Sequence, residues 1–526
     1  MKLYNVFILV IALSILSSCT KDLDRVPDQG LTNEILFKSE AGYRNALAKI
    51  YGGLALTGNS ANGGAGSPDI TTISDEGFSS YIRILWKMQE LTTDEAVIGW
   101  NDKTIKDFHE MDWTPADEFI GGMYSRLFFQ ITLANNFIIE SADDKLSARG
   151  ISGTDADKVR AYRNEVRFLR ALSYWHALDL FGNPTFVTDA NPIGAFLPTQ
   201  TNRTELFNYI EQECLDLENL MAEPKANEYA RADKAALWML MANLYLNAQV
   251  YTGTARFTEA VTYSKKVMNA GYTLNTNYAH NFVADNHTSP EIIFPVAFDG
   301  VRTRTWGGAT FLVHAGVGGD MSTTDFGIDF GWGGIRTTSA FVSKFPDPSG
   351  STDKRAMFQI PGQQLAITDI GEFRHGYAIR KWKNVTKNGT AGSNNVFVDT
   401  DFPMFRLAEA NLIFAEAVLR GGAGGTSAEA LAAVNALRTR AYGSATGNLA
   451  TLTLNDVLDE RARELYWEGK RRTDLIRYGL FHSSTYLWPW KGGVASGRAV
   501  DDYRNLFPIP SSELNSNPNL SQNTGY

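Results

Sequence analysis

The sequence has few cysteines and lacks a hydrophobic run long enough to cross a membrane. Cys19 and Cys214 are the only cysteines among 526 residues. The main apolar run, Val6–Leu16, is much shorter than the roughly twenty residues that a transmembrane helix needs. These absences exclude a small disulfide-stabilised fold and a membrane-spanning protein. A chain of this length can instead bury a large hydrophobic core without disulfides or metal ions.

The sequence also lacks an excess of positive charge: 58 Asp and Glu exceed 49 Lys and Arg, and the net charge is −9 at pH 7. A protein that binds nucleic acid through its phosphates normally carries a basic patch or stripe. The longest basic cluster, Lys470–Arg472, lies among Glu464, Glu468 and Asp474. This pattern predicts a solvent-exposed, salt-bridged helix face, and we expect no nucleic-acid partner.

Motifs of the common enzyme classes are absent too. There is no HExxH, GxSxG, Walker A or GxGxxG motif, and the seven histidines are scattered. The remaining candidates for catalytic residues are the acidic pairs Asp75–Glu76 and Asp94–Glu95, because a glycosidase needs two carboxylates across a sugar ring. Acidic side chains that suit a structural Ca²⁺ are plentiful, although no EF-hand loop is present. We expect a binding protein and not an enzyme, with no cofactor and no predicted metal site.

The N-terminus has the pattern of a secretion signal. A positively charged residue precedes the apolar run Val6–Leu16, which has the length of the hydrophobic region of a signal peptide. Leu16-Ser17-Ser18-Cys19 then resembles a bacterial lipobox, which implies cleavage before Cys19 and lipids on this residue. The alternative is an ordinary secretory signal with a chance cysteine. We predict a signal peptide over residues 1–18 and a lipidated tether over residues 19–35.

Helical periodicity dominates the chain after the tether. Apolar residues recur every three or four positions over residues 156–181, and Gly182-Asn183-Pro184 ends that helix. Residues 454–479 are predicted to form one closing helix. Cys214 lies on the apolar face of a helical stretch over residues 205–220, so we expect a buried core residue and not a nucleophile.

Two pairs of predicted helices have a common pattern. The first pair covers residues 232–250 and 257–270, separated by a short break. The second covers residues 403–420 and 427–440, separated by a glycine-rich linker. Each pair resembles a tetratricopeptide helix-turn-helix unit, in which small alanines allow two helices to approach closely.

A loop-rich segment separates the two helix pairs. Residues 276–402 are rich in Gly, Thr, Asn and Asp, with short β-like runs such as 292–296. The predicted fold is mainly α, with tetratricopeptide-like helix pairs forming a scaffold at 36–275 and 403–526 and an irregular loop-rich lobe packed on it. Long loops inside a compact protein usually carry function, so we expect a ligand at this lobe and near the glycine-rich stretch 52–66.

Seven stretches of sequence between residues 163 and 510 form a recognisable set. They are RNEVRFLRALSYWHALDLFG at 163–182, RADKAALW at 231–238, SPEIIF at 289–294, DFPMFRLAEA at 401–410, ERAREL at 460–465, EGKRRTDL at 468–475 and LFPIP at 506–510. In residues and in order they resemble the SusD/RagB-like outer-membrane lipoproteins.

This resemblance implies that residues 36–526 form one glycan-binding domain with tetratricopeptide-like helices and a loop-rich lobe. It implies attachment to the outer membrane through the lipid at Cys19, with the domain exposed at the cell surface. The implied partners are a glycan ligand and a SusC-like, TonB-dependent outer-membrane transporter, to which the protein delivers its glycan.

A finer similarity, to the starch-binding type of the family, indicates the ligand site. That type holds an α-glucan against three aromatic side chains, which correspond to Trp100, Trp306 and Trp332. Polar positions of the same site correspond to Arg83, Asp75 and Asn101. Trp306 and Trp332 are next to glycines, where an indole can present a flat face to a ligand. The resemblance therefore implies an α-glucan such as starch or a maltooligosaccharide.

Two alternatives stay open at this point. The residues after Trp100 and the size of Trp306 depart from the starch-binding type, which favours a different glycan such as a β-glucan or a fructan. Tetratricopeptide-like grooves are also typical of peptide binders, so the second alternative is a peptide-binding protein or a simple lid on the transporter.

Overall fold

The computed structural model describes residues 32–59, 68–71, 73, 76–191 and 196–526. The predicted signal peptide, the predicted lipid attachment site Cys19 and the candidate site residue Asp75 lie outside these residues. In the described part of the chain the fold is mainly α-helical, as predicted from the sequence. None of the helices described there is long and apolar enough to cross a membrane.

The α-helices of the described residues range in length from 4 to 29 residues. In chain order they are α1 Asn33–Leu36, α2 Glu40–Ala55, α3 Tyr81–Trp86, α4 Asp107–Glu110, α5 Glu118–Glu140, α6 Asp143–Ala148, α7 Gly153–Phe181, α8 Arg203–Leu217, α9 Lys234–Leu246, α10 Ala248–Thr252, α11 Phe257–Met268, α12 Gly308–Ala315, α13 Ser339–Val342, α14 Leu407–Leu419, α15 Ser427–Tyr442, α16 Leu454–Leu465, α17 Arg471–Arg477 and α18 Ser511–Ser516. A π-helical turn at Lys87–Leu91 continues α3. Helix α1 begins inside the segment predicted as a tether, so the fold starts slightly before residue 36.

Six short strands form three antiparallel pairs in the described residues. They are β1 Val97–Ile98 with β3 Ile335–Arg336, β2 Ile292–Val296 with β6 Phe402–Arg406, and β4 Phe358–Gln359 with β5 Ala378–Ile379. The predicted β-like run at 292–296 is therefore confirmed. Strands of this length pin loops together and do not form a sheet that could support the fold by itself.

The long helix α7 confirms the strongest helical prediction. All side chains from Phe168 to Phe181 are buried, so the helix passes through the core. It ends where the sequence indicates, because Gly182 adopts a φ of 70° and its N–H donates to the Leu178 carbonyl at 3.1 Å. Pro184 follows and cannot continue the helix.

The two predicted helix pairs form one continuous stack. Helix α9 packs on α11, α11 packs on α14, and α14 packs on α15. The pairs are thus neighbours in space although the loop-rich segment separates them in sequence. The linker between α14 and α15 lies close to this stack, since a Cβ on Gly425 would come within 2.8 Å of the Phe414 ring. Glycine at this position permits the close approach.

Two helical predictions are wrong in part. Residues 403–406 belong to strand β6, because Pro403 has no N–H to donate within a helix and the apolar side chains around it pair with the buried strand β2. The predicted closing helix 454–479 is two helices, α16 and α17. The first helix ends as Tyr466 turns to a ψ of 140°, and Trp467 (φ 62°) and Gly469 (φ 76°) then adopt left-handed backbone conformations between the two helices.

The basic cluster Lys470–Arg472 is buried and not solvent-exposed as predicted. Arg471 donates from Nε to the Asp94 carboxylate at 2.7 Å, and Arg472 lies 3.2 Å from the Asp179 carboxylate. The prediction of ion pairing was right, but the partners come from distant helices and loops. A buried guanidinium is tolerated only with such partners, so the cluster joins the two halves of the chain.

The prediction that Cys214 is a buried core residue is confirmed. Cys214 lies on α8 and its side chain is fully buried. Burial raises the pKa of the thiol, so the reactive thiolate is disfavoured. Cys214 is an apolar core residue.

Candidate functional site

Two short strands bring distant parts of the chain together at the candidate site. β1 pairs with β3 in antiparallel register. Just beyond this pair, the Gly99 N–H donates to the Gly334 carbonyl at 3.1 Å. The Trp100 indole N–H donates to the Trp332 carbonyl at 3.3 Å. Two tryptophans that are far apart in sequence are thereby fixed side by side.

Glycines hold the loop of Trp332 against the end of α12. The Trp332 N–H donates to the His314 carbonyl, and the Gly333 N–H donates to the Val317 carbonyl, each at 2.8 Å. A Cβ on Gly331 would lie 2.3 Å from the Val317 oxygen. Gly333 has a φ of 58°, which glycine adopts without strain. The backbone is fixed on both sides of the indole, which remains half-buried.

Similar packing places Trp306 just before α12. A Cβ on Gly307 would lie 2.0 Å from the Ser80 hydroxyl oxygen, so the chain passes directly over the start of α3. Gly308 has a φ of 52°. The Arg83 guanidinium donates to the Trp306 carbonyl at 2.9 Å. Helix α3 therefore holds the backbone that carries this indole.

The three indoles lie next to one another and form one surface, here called the Trp platform (Trp100, Trp332 and Trp306). The ring centroids of Trp100 and Trp332 are 6.3 Å apart, with planes inclined by 45°. Those of Trp332 and Trp306 are 6.1 Å apart, with planes inclined by 48°. Each indole is half-buried. Because neighbouring rings are inclined, the platform is not flat.

Further aromatic rings pack against the Trp platform. The Phe397 ring lies 4.8 Å from Trp306. The His314 imidazole stacks on Trp332 at 4.8 Å with an angle of 27°. His314 is fully buried, and this burial lowers its pKa, so the stacked ring is neutral at pH 7. Such contacts fix the orientation of the indoles before any ligand binds.

The predicted polar residues differ in their placement. Arg83 is only 6% exposed, and its Cζ lies 4.6 Å from the centroid of Phe311. It therefore supports the platform from inside the protein. Asn101 is exposed and directly follows Trp100. Asp75 lies outside the described residues.

Phe311, His314 and Phe397 were missed by sequence reasoning. Phe311 and His314 are three residues apart on α12 and therefore lie on one side of that helix, which is a signal that the sequence does contain. Phe397 carries no such signal. It comes from the loop-rich segment, and only the folded chain brings it to Trp306.

The acidic pair Asp94–Glu95 lies in the core. Both side chains are buried, and Asp94 forms an ion pair with Arg471 at 2.7 Å. Burial raises the pKa of Glu95 well above its usual range, and the nearby Glu90 carboxylate raises it further. A glycan in solution has no access to these carboxylates, so the pair is not a candidate for glycosidic catalysis.

One group of carboxylates in the described residues has the spacing of a cation site. Asp107, Glu110 and Asp112 each place one oxygen within 4.8 Å of the others. Burial, followed by the charges of its acidic neighbours, raises the pKa of Asp107 to about 6. Such acidic groups commonly lie together without an ion, and we assign no metal to this group.

Replacing Gly334 by alanine is expected to disturb the platform through Trp100. The new Cβ would lie 2.4 Å from Trp100 Cε2, so the indole must move. We expect the affinity for maltoheptaose to fall about tenfold, equivalent to about 1.4 kcal/mol. Gly52→Ala is the matched control, because a Cβ there meets no atom within 4 Å. Calorimetric titration measures the affinity, and an unchanged value in Gly334→Ala would refute the prediction that the position of Trp100 matters for binding.

Comparison with known protein sequences assigns the family. The model of the SusD family matches residues 363–526. Along its whole length the chain is 36% identical to starch-binding protein SusD from Bacteroides thetaiotaomicron, with 100% of this chain and 98% of that protein covered. It is 25% identical to SusD-like protein P25 from Formosa agariphila, with 100% of both chains covered.

Solved structures show the same fold. A SusD superfamily protein from Parabacteroides distasonis superimposes with a TM-score of 0.70 at 22% identity, covering 94% of this chain and 100% of that one. Surface glycan-binding protein A from Bacteroides thetaiotaomicron, solved in complex with laminarihexaose, gives a TM-score of 0.69 at 19% identity, with coverages of 92% and 99%. The full-length identity of 36% and the shared fold show that this protein belongs to the SusD family.

Proposed function

We propose that this protein is a surface glycan-binding lipoprotein that captures an α-glucan, such as starch or a maltooligosaccharide. It delivers the glycan to a SusC-like, TonB-dependent transporter of the outer membrane. The observation that carries the proposal is the Trp platform, in which three neighbouring indoles are oriented before ligand binds. Identity of 36% to a protein named as starch-binding adds support.

Aromatic planes bind sugars because one face of a pyranose ring exposes C–H groups. Burying on the order of 100 Å² of this surface contributes about 2.5 kcal/mol. Ordering the glycan and the side chains opposes binding, so a single contact is weak. Three adjacent indoles allow successive sugar units of one chain to bind together. The affinity is then expected to rise with the length of the glycan.

The inclination of the indoles favours a curved glycan. Neighbouring planes of the Trp platform differ by 45° and 48°. A flat, ribbon-like glucan makes its best contacts with coplanar rings. An α-linked glucan turns from one sugar to the next and can follow a series of inclined rings. The shape of the platform therefore supports a curved glucan, such as starch, over a flat one.

Polar side chains complete the proposed site. The exposed amide of Asn101, beside Trp100, can both donate to and accept from sugar hydroxyls. Asp75 stays a proposed hydroxyl partner. Arg83 is proposed to act by holding the backbone of Trp306, since its guanidinium donates to that carbonyl. The proposal includes no catalytic residue, no cofactor and no metal.

The proposed location is the outer face of the outer membrane. The lipobox-like sequence that ends at Cys19 supports a lipid anchor. Each buried CH₂ of an acyl chain contributes about 0.8 kcal/mol, and more than one chain is needed for stable attachment. A tether between the lipid and α1 would leave the Trp platform free to meet glycans outside the cell.

A β-glucan is the second candidate ligand. One observation favours it: surface glycan-binding protein A, which has the same fold, was solved with laminarihexaose. Curvature alone does not separate the two candidates, because β-1,3-linked glucans also curl.

Native affinity electrophoresis of residues 20–526 tests the proposed function. The protein is run through gels that contain starch, pullulan, laminarin, inulin or no polysaccharide. We expect retardation by starch and pullulan alone. Retardation by laminarin alone would identify the ligand as a β-glucan, and retardation by inulin alone would identify it as a fructan. Free migration in every gel would reject glycan binding.

A further inference from the structure

Phe330 is the most exposed large apolar side chain of the described residues, with 54% of its surface open to solvent. Single exposed apolar residues are ordinary on protein surfaces, so exposure alone has no meaning. Phe330, however, precedes Trp332 by only two residues. Its position relative to the Trp platform therefore decides what it can do.

One buried imidazole contacts both Phe330 and Trp332. The His314 Nδ1–H donates to the Phe330 carbonyl at 2.8 Å. The same imidazole lies 6.0 Å from the Phe330 ring in an edge-on contact and stacks on Trp332 at 4.8 Å. The backbone of Phe330 is thus fixed by the group that orients the central indole of the platform.

A second contact ties Phe330 to the part of the platform that contains Trp306. The N–H of the preceding Asp329 donates to the Asn395 carbonyl at 3.0 Å. Phe397, two residues after Asn395, packs against Trp306 at 4.8 Å. Phe330 therefore lies where the loop of Trp332 meets the segment that supports Trp306.

We infer that Phe330 is a fourth aromatic contact for the glycan, at the edge of the Trp platform. It binds a sugar unit beyond those that the three indoles hold, so only glycans long enough to reach it gain affinity from it. This inference rests on the proposed function, because it concerns the same ligand and the same surface. It also explains why an apolar ring is held by its backbone while more than half of it stays in water.

Phe330→Ala tests the inference with two ligands of different length. Maltotriose is short enough to be held by the indoles alone, whereas maltoheptaose extends past them. We expect Phe330→Ala to weaken maltoheptaose binding about five- to tenfold and to leave maltotriose binding unchanged, because only the longer ligand loses a contact. Phe330→Tyr keeps a flat ring and should bind both ligands as the wild type does.

Leu220→Ala is the matched control, because Leu220 is exposed to a similar extent, 51%, and lies three residues after the end of α8. Equal affinities of Phe330→Ala and wild type for maltoheptaose would overturn the inference, as would an equal loss for both ligands. Trp332→Ala, tested in parallel, separates this failure from failure of the proposed function. If that variant also binds normally, the Trp platform itself is not the glycan site.

Discussion

Trp332→Ala is expected to lower the affinity for maltoheptaose about 30-fold, since a lost contact of about 2 kcal/mol corresponds to that factor. Trp332 is the central indole of the Trp platform, 6.3 Å from Trp100 and 6.1 Å from Trp306. Its removal takes away one sugar contact and interrupts the surface between the other two. Isothermal titration calorimetry measures the change directly.

The control for this result is Leu220→Ala, which removes an exposed apolar side chain outside the Trp platform. Its affinity should equal that of the wild type. Because Trp332 packs against His314, the melting temperature of the variant must be measured as well. A correctly folded Trp332→Ala protein that binds maltoheptaose like the wild type would contradict the assignment of the site.

The second large effect is expected for stability, from Arg406→Met. Arg406 is buried at the end of β6 and donates to Glu291, Glu464 and Glu468, each at 2.7 Å. Removal of the guanidinium leaves three buried carboxylates without their shared partner. We expect the free energy of unfolding to fall by about 3–5 kcal/mol, the usual result of breaking a buried ion pair. Urea unfolding followed by circular dichroism measures this change.

The same variant should show a distinctive pH dependence. Burial would raise the pKa of Glu468, but the Arg406 and Lys381 charges outweigh it and hold the pKa below its usual range. In the wild type this contribution to stability is therefore present at pH 7 and is lost only at strongly acidic pH. Without Arg406, the Lys381 charge remains but the largest charge that opposes burial is gone, so we expect the Glu468 carboxyl to bind a proton more readily. The stability deficit of the variant should shrink as the pH falls from 7 towards about 4.5.

Arg160→Met is the control for the Arg406 experiment. Arg160 is on the surface of α7 and pairs with Asp157 at 2.7 Å, in contact with solvent. Exposed ion pairs of this kind contribute little to stability. Equal small effects of the two substitutions would show that the buried ion pairs of Arg406 are not needed for the fold.

The helices of the scaffold were predictable because their signals are local. The apolar spacing of α7 and the glycine that ends it are contained in about thirty consecutive residues. The break between α16 and α17 was missed, because Trp467 has a left-handed conformation that its residue type does not indicate. The burial of Lys470–Arg472 was also missed, since it depends on acids from distant segments.

The assignment of three tryptophans to a glycan site stays a prediction, and the structure adds the geometry that the sequence could not give. The resemblance to the family indicated Trp100, Trp306 and Trp332, but sequence alone gives no distances between them. Their inclination and spacing arise from the pairing of β1 with β3 and from the glycines around each indole. Among the supporting rings, Phe311 and His314 share one side of α12, whereas Phe397 comes from a loop without a periodic pattern and left no sequence signal.

A crystal structure of residues 20–526 with maltoheptaose shows whether the Trp platform is the glycan site. We expect sugar rings stacked in order on Trp100, Trp332 and Trp306, with the glycan chain curving along the Trp platform. We also expect one end of maltoheptaose to reach Phe330. The Trp platform is not the glycan site if the glycan binds at another surface, or if a crystal soaked with saturating maltoheptaose shows no sugar on the three indoles.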